Sequence, residues 1–274
     1  MCKKIASLLM VCVLVFGFSG IIWADSPNDS PIRTGYAIVT PSGTSTTGLV
    51  VFETFGEREG DSMLQAGVLP ANMTTDVVVF VDTNGNAGKN VGVAIANPGS
   101  TDAMVTFNLM AKDGTQVGTT QITVPAHNQL ARFVTELFPT LTVTLQNFIG
   151  TLQITSNNPV AIVGLRVHGV NFSTMPVTSL SSPTPVPVVS TGIGGTGAVI
   201  LPQFATGGGW ATEIVIGNTG TSSLTVRVDL FANDGSALMA TLNGQTASSF
   251  TNITIPPGGV FVLAPLDNEG QDEF

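Results

Sequence analysis

The sequence predicts an all-β protein made of two antiparallel β-sandwich modules joined by a Pro/Gly-rich linker. Three observations carry this prediction. Short runs of Val, Ile, Thr, Leu and Phe alternate with polar residues, as in Val105-Thr-Phe-Asn-Leu and Leu224-Thr-Val-Arg-Val-Asp-Leu, and period two marks half-buried strands. The 274 residues include 31 Gly and 16 Pro but are only 10% charged and 43% hydrophobic, which suits a packed core and not a disordered polyelectrolyte. Finally, residues 92–114 align without a gap to residues 213–235 at a constant offset of 121.

Residues 1–24, MCKKIASLLMVCVLVFGFSGIIWA, open the chain. Lys3 and Lys4 precede an apolar run, Gly17, Ser19 and Gly20 interrupt it, and Ala24 offers a small residue before Asp25. This is the anatomy of a secretory signal peptide, so the expected compartment is extracellular or the cell surface, with the periplasm as the alternative. Retention as an anchor is the competing reading, because Ile5 to Trp23 is nearly long enough to span a bilayer. Cys12 follows Leu9-Met10-Val11 and not small residues, which argues against lipidation.

Cleavage would also remove Cys2 and Cys12, the two cysteines of the chain, and with them any disulfide, thiolate metal site or cysteine nucleophile. Two modules of about 100 residues bury enough apolar surface without such staples. Losing Lys3 and Lys4 takes the formal charge from −9 to −11. With 18 acidic residues against 9 basic ones, the chain is not expected to bind nucleic acid, nor a membrane once the signal has gone.

Residues 25–34 read as a disordered leader. Residues 35–69 read as a β-hairpin, Gly35-Tyr-Ala-Ile-Val-Thr40 with Thr47-Gly-Leu-Val-Val51, followed by an acidic loop containing Glu53, Glu57, Glu59 and Asp61. Module 1 is expected at 70–172, the linker at 173–197 around Pro183, Pro185 and Pro187, module 2 at 198–266, and an acidic tail at 267–274. Gln129 to Leu137, with Leu130, Phe133 and Leu137 at helical spacing, reads as one short helix.

Within the repeat, Asn97 matches Asn218, Gly99 matches Gly220, and Asp113-Gly114 matches Asp234-Gly235. Each copy reads as a strand, an Asn-x-Gly turn, an alternating strand and an Asp-Gly turn. After ten inserted residues, Ile122-Thr-Val-Pro125 matches Ile253-Thr-Ile-Pro256, a strand ended by proline. Module 1 then closes with Gly150-Thr-Leu-Gln-Ile-Thr155 and Ile162-Val-Gly-Leu-Arg-Val167, whereas module 2 has no counterpart downstream. The similar sequence lies instead at 35–51. That segment would complete module 2 of its own chain, complete module 2 of a neighbouring chain by strand donation, or add to module 1.

Motifs of chemistry are sparse. Gly192-Ile-Gly194-Gly-Thr-Gly197 fits GxGxxG, but a strand ending at Pro202 follows where a dinucleotide site needs a helix. Asp82, Asn84 and Asn86 place oxygen ligands at alternate positions, as calcium loops do, with one carboxylate among them and none in the corresponding stretch Ala205 to Gly209. His127 and His168, the two histidines, lie in no recognisable nucleophile context, so no enzymatic activity and no cofactor are expected. Trp210 after Gly207-Gly-Gly209 is the candidate ligand contact, weighed against a Trp packed under the sheet.

The run LPQFATGGGWATEIVIGNTGTSSLTVRVDLFANDG and its sister VGVAIANPGSTDAMVTFNLMAKDG, with the later GTLQITSNNPVAIVGLRV, resemble the Ig-like β-sandwich repeats of bacterial secreted and cell-surface proteins. The resemblance spans most of residues 80–265 and implies an Ig-like fold with a display, adhesive or spacer role and an extracellular protein as partner. It carries no catalytic residues across. The missing final hairpin of module 2 departs from it. Glycan binding through a carbohydrate-binding module and self-association through residues 35–51 into a fibre are the two alternatives.

Overall fold

The computed structural model of the chain describes residues 34–41, 49–59, 62–180 and 198–266, and its regular structure is almost entirely antiparallel β. The proposed signal peptide, most of the leader, the Pro-rich part of the linker and the acidic tail lie outside the described residues. Among the described residues no helix is long and apolar enough to cross a membrane.

One strand organises the first core. β3 (Met73–Asn84), β4 (Lys89–Asn97), β5 (Ala103–Ala111), β6 (Gln116–Val124) and β7 (Asn128–Phe133) lead to β8 (Asn147–His168), followed by β9 (Asn171–Met175) and β10 (Val177–Ser179). The first half of β8 lies between β3 and β5, with Leu152 opposite Val79 and Ile154 opposite Phe107. Its second half lies between β4 and β9, with Ile162 opposite Ile95 and Leu165 opposite Thr174. β8 therefore belongs to two layers, β10-β3-β8-β5-β6 and β7-β4-β8-β9.

Passing between layers requires a bend. Pairing with β3 jumps from Asp76–Thr155 to Thr74–Val160 while β5 pairs as far as Ser156, which leaves residues 157–159 out of the ladders. Pro159 has no N–H to offer a ladder, and bulges of this kind turn a strand. The freed polar groups find partners: Met104 N–H donates to Asn157 Oδ1 at 2.7 Å, and Asn158 Nδ2 donates to the Asp102 carbonyl at 2.8 Å. Period two then places Val79, Val93, Phe107 and Leu152 in one fully buried cluster. Each such side chain contributes about 1.5–3 kcal/mol by leaving water.

The second core uses β11 (Ile214–Gly217), β12 (Leu224–Asp229), β15 (Ser249–Ile255) and β16 (Val260–Leu263). Up to Val226 its registers are those of the first core, displaced by 121 residues on one strand and 131 on the other; beyond it the β12–β15 ladder slips by one residue, so that Val228 faces Phe250. Ile214 faces Leu263 as Val93 faces Arg132, and Val226 faces Ile253 as Val105 faces Ile122. The ten inserted residues form β13 (Ala240–Leu242) and β14 (Gln245–Ala247), a hairpin whose Leu242 enters the second core. Its Asn243 donates through Nδ2 to the Val262 carbonyl at 2.9 Å.

The buried asparagines explain why both Asn-x-Gly turns hold. Asn97 Nδ2 donates to the carbonyls of Thr101 at 2.8 Å and Val124 at 3.0 Å, while its Oδ1 accepts from Gly99 N–H at 3.1 Å. Asn218 makes the corresponding bonds to Ser222 at 2.8 Å, Ile255 at 2.9 Å and Gly220 at 3.0 Å.

Four sequence expectations are corrected. Residues 129–133 of the expected helix belong to β7, because the open edge of β4 offers backbone partners that outweigh helical spacing; within that stretch only α1 (Val134–Leu137) is helical. Residues 171–179, partly assigned to the linker, form β9 and β10 on the first core, where Met175 and Val177 pack. The described residues 34–41 and 49–52 of the expected N-terminal hairpin lie outside every strand. The hairpin instead pairs β1 (Glu53–Glu59) with β2 (Ser62–Val68), so the acidic stretch from Glu53 is strand and not loop. Glu59 faces Ser62 at the end of this ladder.

Replacing Asn97 by Ala strands several buried carbonyls and is expected to cost about 1–3 kcal/mol in urea denaturation of the full chain. Asn218→Ala should cost a similar amount in the transition of the second core. A neutral result at both positions would show that these bonds do not hold the turns.

Candidate functional site

Besides the inserted β13–β14 hairpin, the two cores differ in their centre: among the described residues the second has no counterpart of β8. Among the described residues, β12 pairs with β15 alone and β11 with β16 alone, whereas their counterparts β5 and β4 each pair with β8 as well. The edges of β11 and β12 that face this position carry no ladder. Residues 198–204, which stand 121 positions after Val77 to Thr83 of β3, form no strand. Without a central strand to pair with, Val199, Ile200 and Leu201 are each 57% exposed, while Val79, the counterpart of Ile200, is fully buried. Likewise Val105 and Phe107 are fully buried, but their counterparts Val226 and Val228 are only half-buried. Among the described residues, the β8 position beside β11 and β12 is thus a vacancy in the ladder. On the far side of the same core, a cleft of about 230 Å³ opens between Leu242, Phe250 and Phe261.

Among the described residues, 34–41 and 49–52 form an apolar stretch that lies in no strand. Ile38 is 68% and Phe52 77% exposed, and Val39, Leu49 and Val50 are exposed with them. The segment leads directly into β1, and Phe55 of β1 stacks on Phe172 of β9 with ring centroids 5.4 Å apart. Its C-terminal end is thereby tied to the first core.

The two cores meet at a joint of two parts. Val260 N–H donates to the Lys112 carbonyl at 3.0 Å. Gly114 in the β5–β6 turn has φ +84°, and a Cβ there would collide with the Pro257 carbonyl. The second part is ionic. Asp82 accepts from Arg166 at 2.9 Å and lies 3.2 Å from Lys89 Nζ, and Arg166 lies 3.8 Å from Glu213, which directly precedes β11. Two carboxylates and two cations thus neutralise one another with little exposure, the arrangement that buried charge requires. Glu213 stands where the first core has Gly92, so this charge belongs to the joint and not to the shared turn-and-strand pattern.

The sequence candidates fall in separate places. Asp82 does not converge with Asn84 and Asn86 into a cation loop: it faces Arg166 and Lys89, while Asn84 Oδ1 accepts the backbone N–H groups of Asn86 and Ala87 at 3.1 Å. Among the described residues no group of three or more His, Cys, Asp or Glu could hold a metal. Trp210 is not packed beneath a sheet but is 72% exposed at the tip of a loop, whose base is tied by Thr212 Oγ1 donating to the Ala205 carbonyl at 2.8 Å. Asp113 and Asp234, in the two Asp-Gly turns, are held below the usual carboxylate range first by the hydroxyls of Thr115 and Ser236 and then by their backbone N–H groups. The vacancy itself was legible as a hairpin missing from the repeat; the joint left no sequence signal beyond Glu213 replacing a glycine.

No family model matches the chain, and no curated protein matches it. Among solved structures it is similar to the Anabaena sensory rhodopsin transducer, at 22% identity and a TM-score of 0.29, over 34% of this chain and 95% of that one. A second similarity is to the Thermotoga maritima 1070 structure, at 16% identity and a TM-score of 0.30, over 39% of this chain and 92% of that one. Likeness at this level carries no argument about function.

Gly114 and Gly235 give a matched pair for weighing the joint. Both have φ above +80°, but nothing lies within 4 Å of a Cβ built on Gly235. Gly235→Ala should cost only the left-handed backbone penalty, about 1–2 kcal/mol. Gly114→Ala should cost more and separate the unfolding of the two cores in differential scanning calorimetry. Equal costs with a single unchanged transition would exclude the joint as a coupling element.

Proposed function

We propose that the protein is a non-enzymatic, exported protein of two Ig-like β-sandwich modules, whose work is display or adhesion through protein–protein contact. The single observation that carries this reading is the vacancy beside β11 and β12. Two strand edges left open among the described residues, with Val226 and Val228 only half-buried behind them, are a surface that another extended chain satisfies by adding backbone hydrogen bonds, with alternate side chains entering the core. Exposed edges of this kind are a liability unless they are covered or used. The repeat at offset 121, with its matched registers and matched asparagine bonds, supports two related modules of which the second awaits a strand.

Export rests on residues 1–24. Mass spectrometry of the protein recovered from the culture medium or cell surface should find a chain starting at Asp25, and an intact Met1 would overturn cleavage.

The contact reading is tested with a labelled peptide of residues 147–156, the strand that occupies the same position in the first core. Fluorescence anisotropy should show saturable one-to-one binding to the full chain. Ile200→Asp, which adds a charge at an already exposed side chain, should weaken that binding by at least about tenfold, equivalent to about 1.4 kcal/mol. Failure of the peptide to bind a chain whose second core is folded by circular dichroism would overturn the reading.

A further inference from the structure

The vacancy has a candidate occupant within the sequence itself. Gly35-Tyr-Ala-Ile-Val-Thr40 parallels Gly150-Thr-Leu-Gln-Ile-Thr155 of β8, and Leu49-Val-Val51 parallels Leu165-Arg-Val167. Among the described residues, each chain therefore holds one β8-like segment that lies in no strand and one core without a β8.

Resting on the contact reading above, we infer that the partner is a second copy of this chain: residues 35–40 of one copy insert beside β12 of the next and complete its second core. The donor is tethered to the first core through β1 and the Phe55–Phe172 stack, and the vacancy belongs to the second core. Donor and acceptor surfaces are thus different patches on one molecule. Contacts of this heterologous kind repeat head to tail and build filaments or rings, not closed two-fold dimers.

The β5–β8 ladder fixes the register. Phe107 faces Ile154, Leu109 faces Leu152, and Ala111 faces Gly150. Transposed, Val228 faces Val39, Leu230 faces Ala37, and Ala232 faces Gly35. Ala37 and Val39 then point into the second core as Leu152 and Ile154 point into the first, and Gly35 takes the position of Gly150, where a Cβ would strike the carbonyl of the neighbouring strand. Pro41 falls at the end of the ladder, opposite Val226, where a missing N–H is tolerated. Val39, 55% exposed on the donor, and the half-buried Val226 and Val228 of the acceptor are covered in one step.

The test mixes two full-length chains of different tag length, both carrying Cys2→Ser and Cys12→Ser. One also carries Val39→Cys and the other Val228→Cys. On mild oxidation a mixed disulfide dimer is expected, forming at least about tenfold faster than with Ile38→Cys as donor, whose side chain the register turns to the opposite face. In light scattering, deletion of residues 34–41 should reduce assemblies of the parent chain to a monomer. No mixed dimer, or a chain bearing both cysteines that closes only on itself at every concentration, overturns donation between copies. If the peptide of residues 147–156 still binds in that case, the vacancy remains a contact site and only its occupant has been misassigned; if that peptide also fails, the contact reading falls with it.

Discussion

Backbone hydrogen bonding through β8 is the interaction on which the rest of the structure depends. A strand in a sheet interior satisfies its neighbours on both sides, and β8 does this twice, first between β3 and β5 and then between β4 and β9. The bend at residues 157–159 lets one strand lock two layers over a common core, so the layers do not have to find each other through side chains alone. Where β8 is present, β3 is a strand of twelve residues with fully buried valines. Where it is absent, the corresponding segment 198–204 has no strand and exposes its apolar side chains. The same local sequence character has two outcomes because β pairing is a property of neighbours and not of the segment.

The joint between the cores follows a different logic. Lys89, Arg166, Asp82 and Glu213 are costly to remove from water, and they are tolerated because four charges cancel within a small volume. Such a cluster specifies one arrangement more than it adds stability, since losing any member leaves an uncompensated partner. The hydrogen bond from Val260 to Lys112 and the close approach at Gly114 add directional constraints that apolar packing alone does not supply. The open strand position is therefore presented by a second core held in a defined place relative to the first.

Much of the fold was legible locally. Alternation located β5 and β12, and the Asn-x-Gly and Asp-Gly turns were read from residues that tolerate the required backbone angles. The Asn97 and Asn218 hydrogen bonds now give those turns a tertiary reason. The misreadings share one physical cause. Leu130 and Phe133 have helical spacing, but residues 128–133 pair with β4 because an open edge is close by. Met175 and Val177 sit in a stretch that looks like linker, yet an exposed strand edge and an unfilled part of the core capture them. For Trp210 the sequence left a ligand contact and a Trp packed under the sheet as alternatives, and its 72% exposure removes the second.

By itself the sequence determined the class of structure, the turn positions and the internal similarity at offset 121, because these depend on side-chain period and backbone conformation within a few residues. Tertiary structure alone decided that β8 is shared by two layers, that β1 and β2 form the N-terminal hairpin while residues 34–41 and 49–52 stay outside any strand, and that Asp82 serves an ion cluster instead of a cation loop. Those outcomes turn on which backbone edge or charge comes within hydrogen-bonding distance, a quantity set by residues far away in the chain.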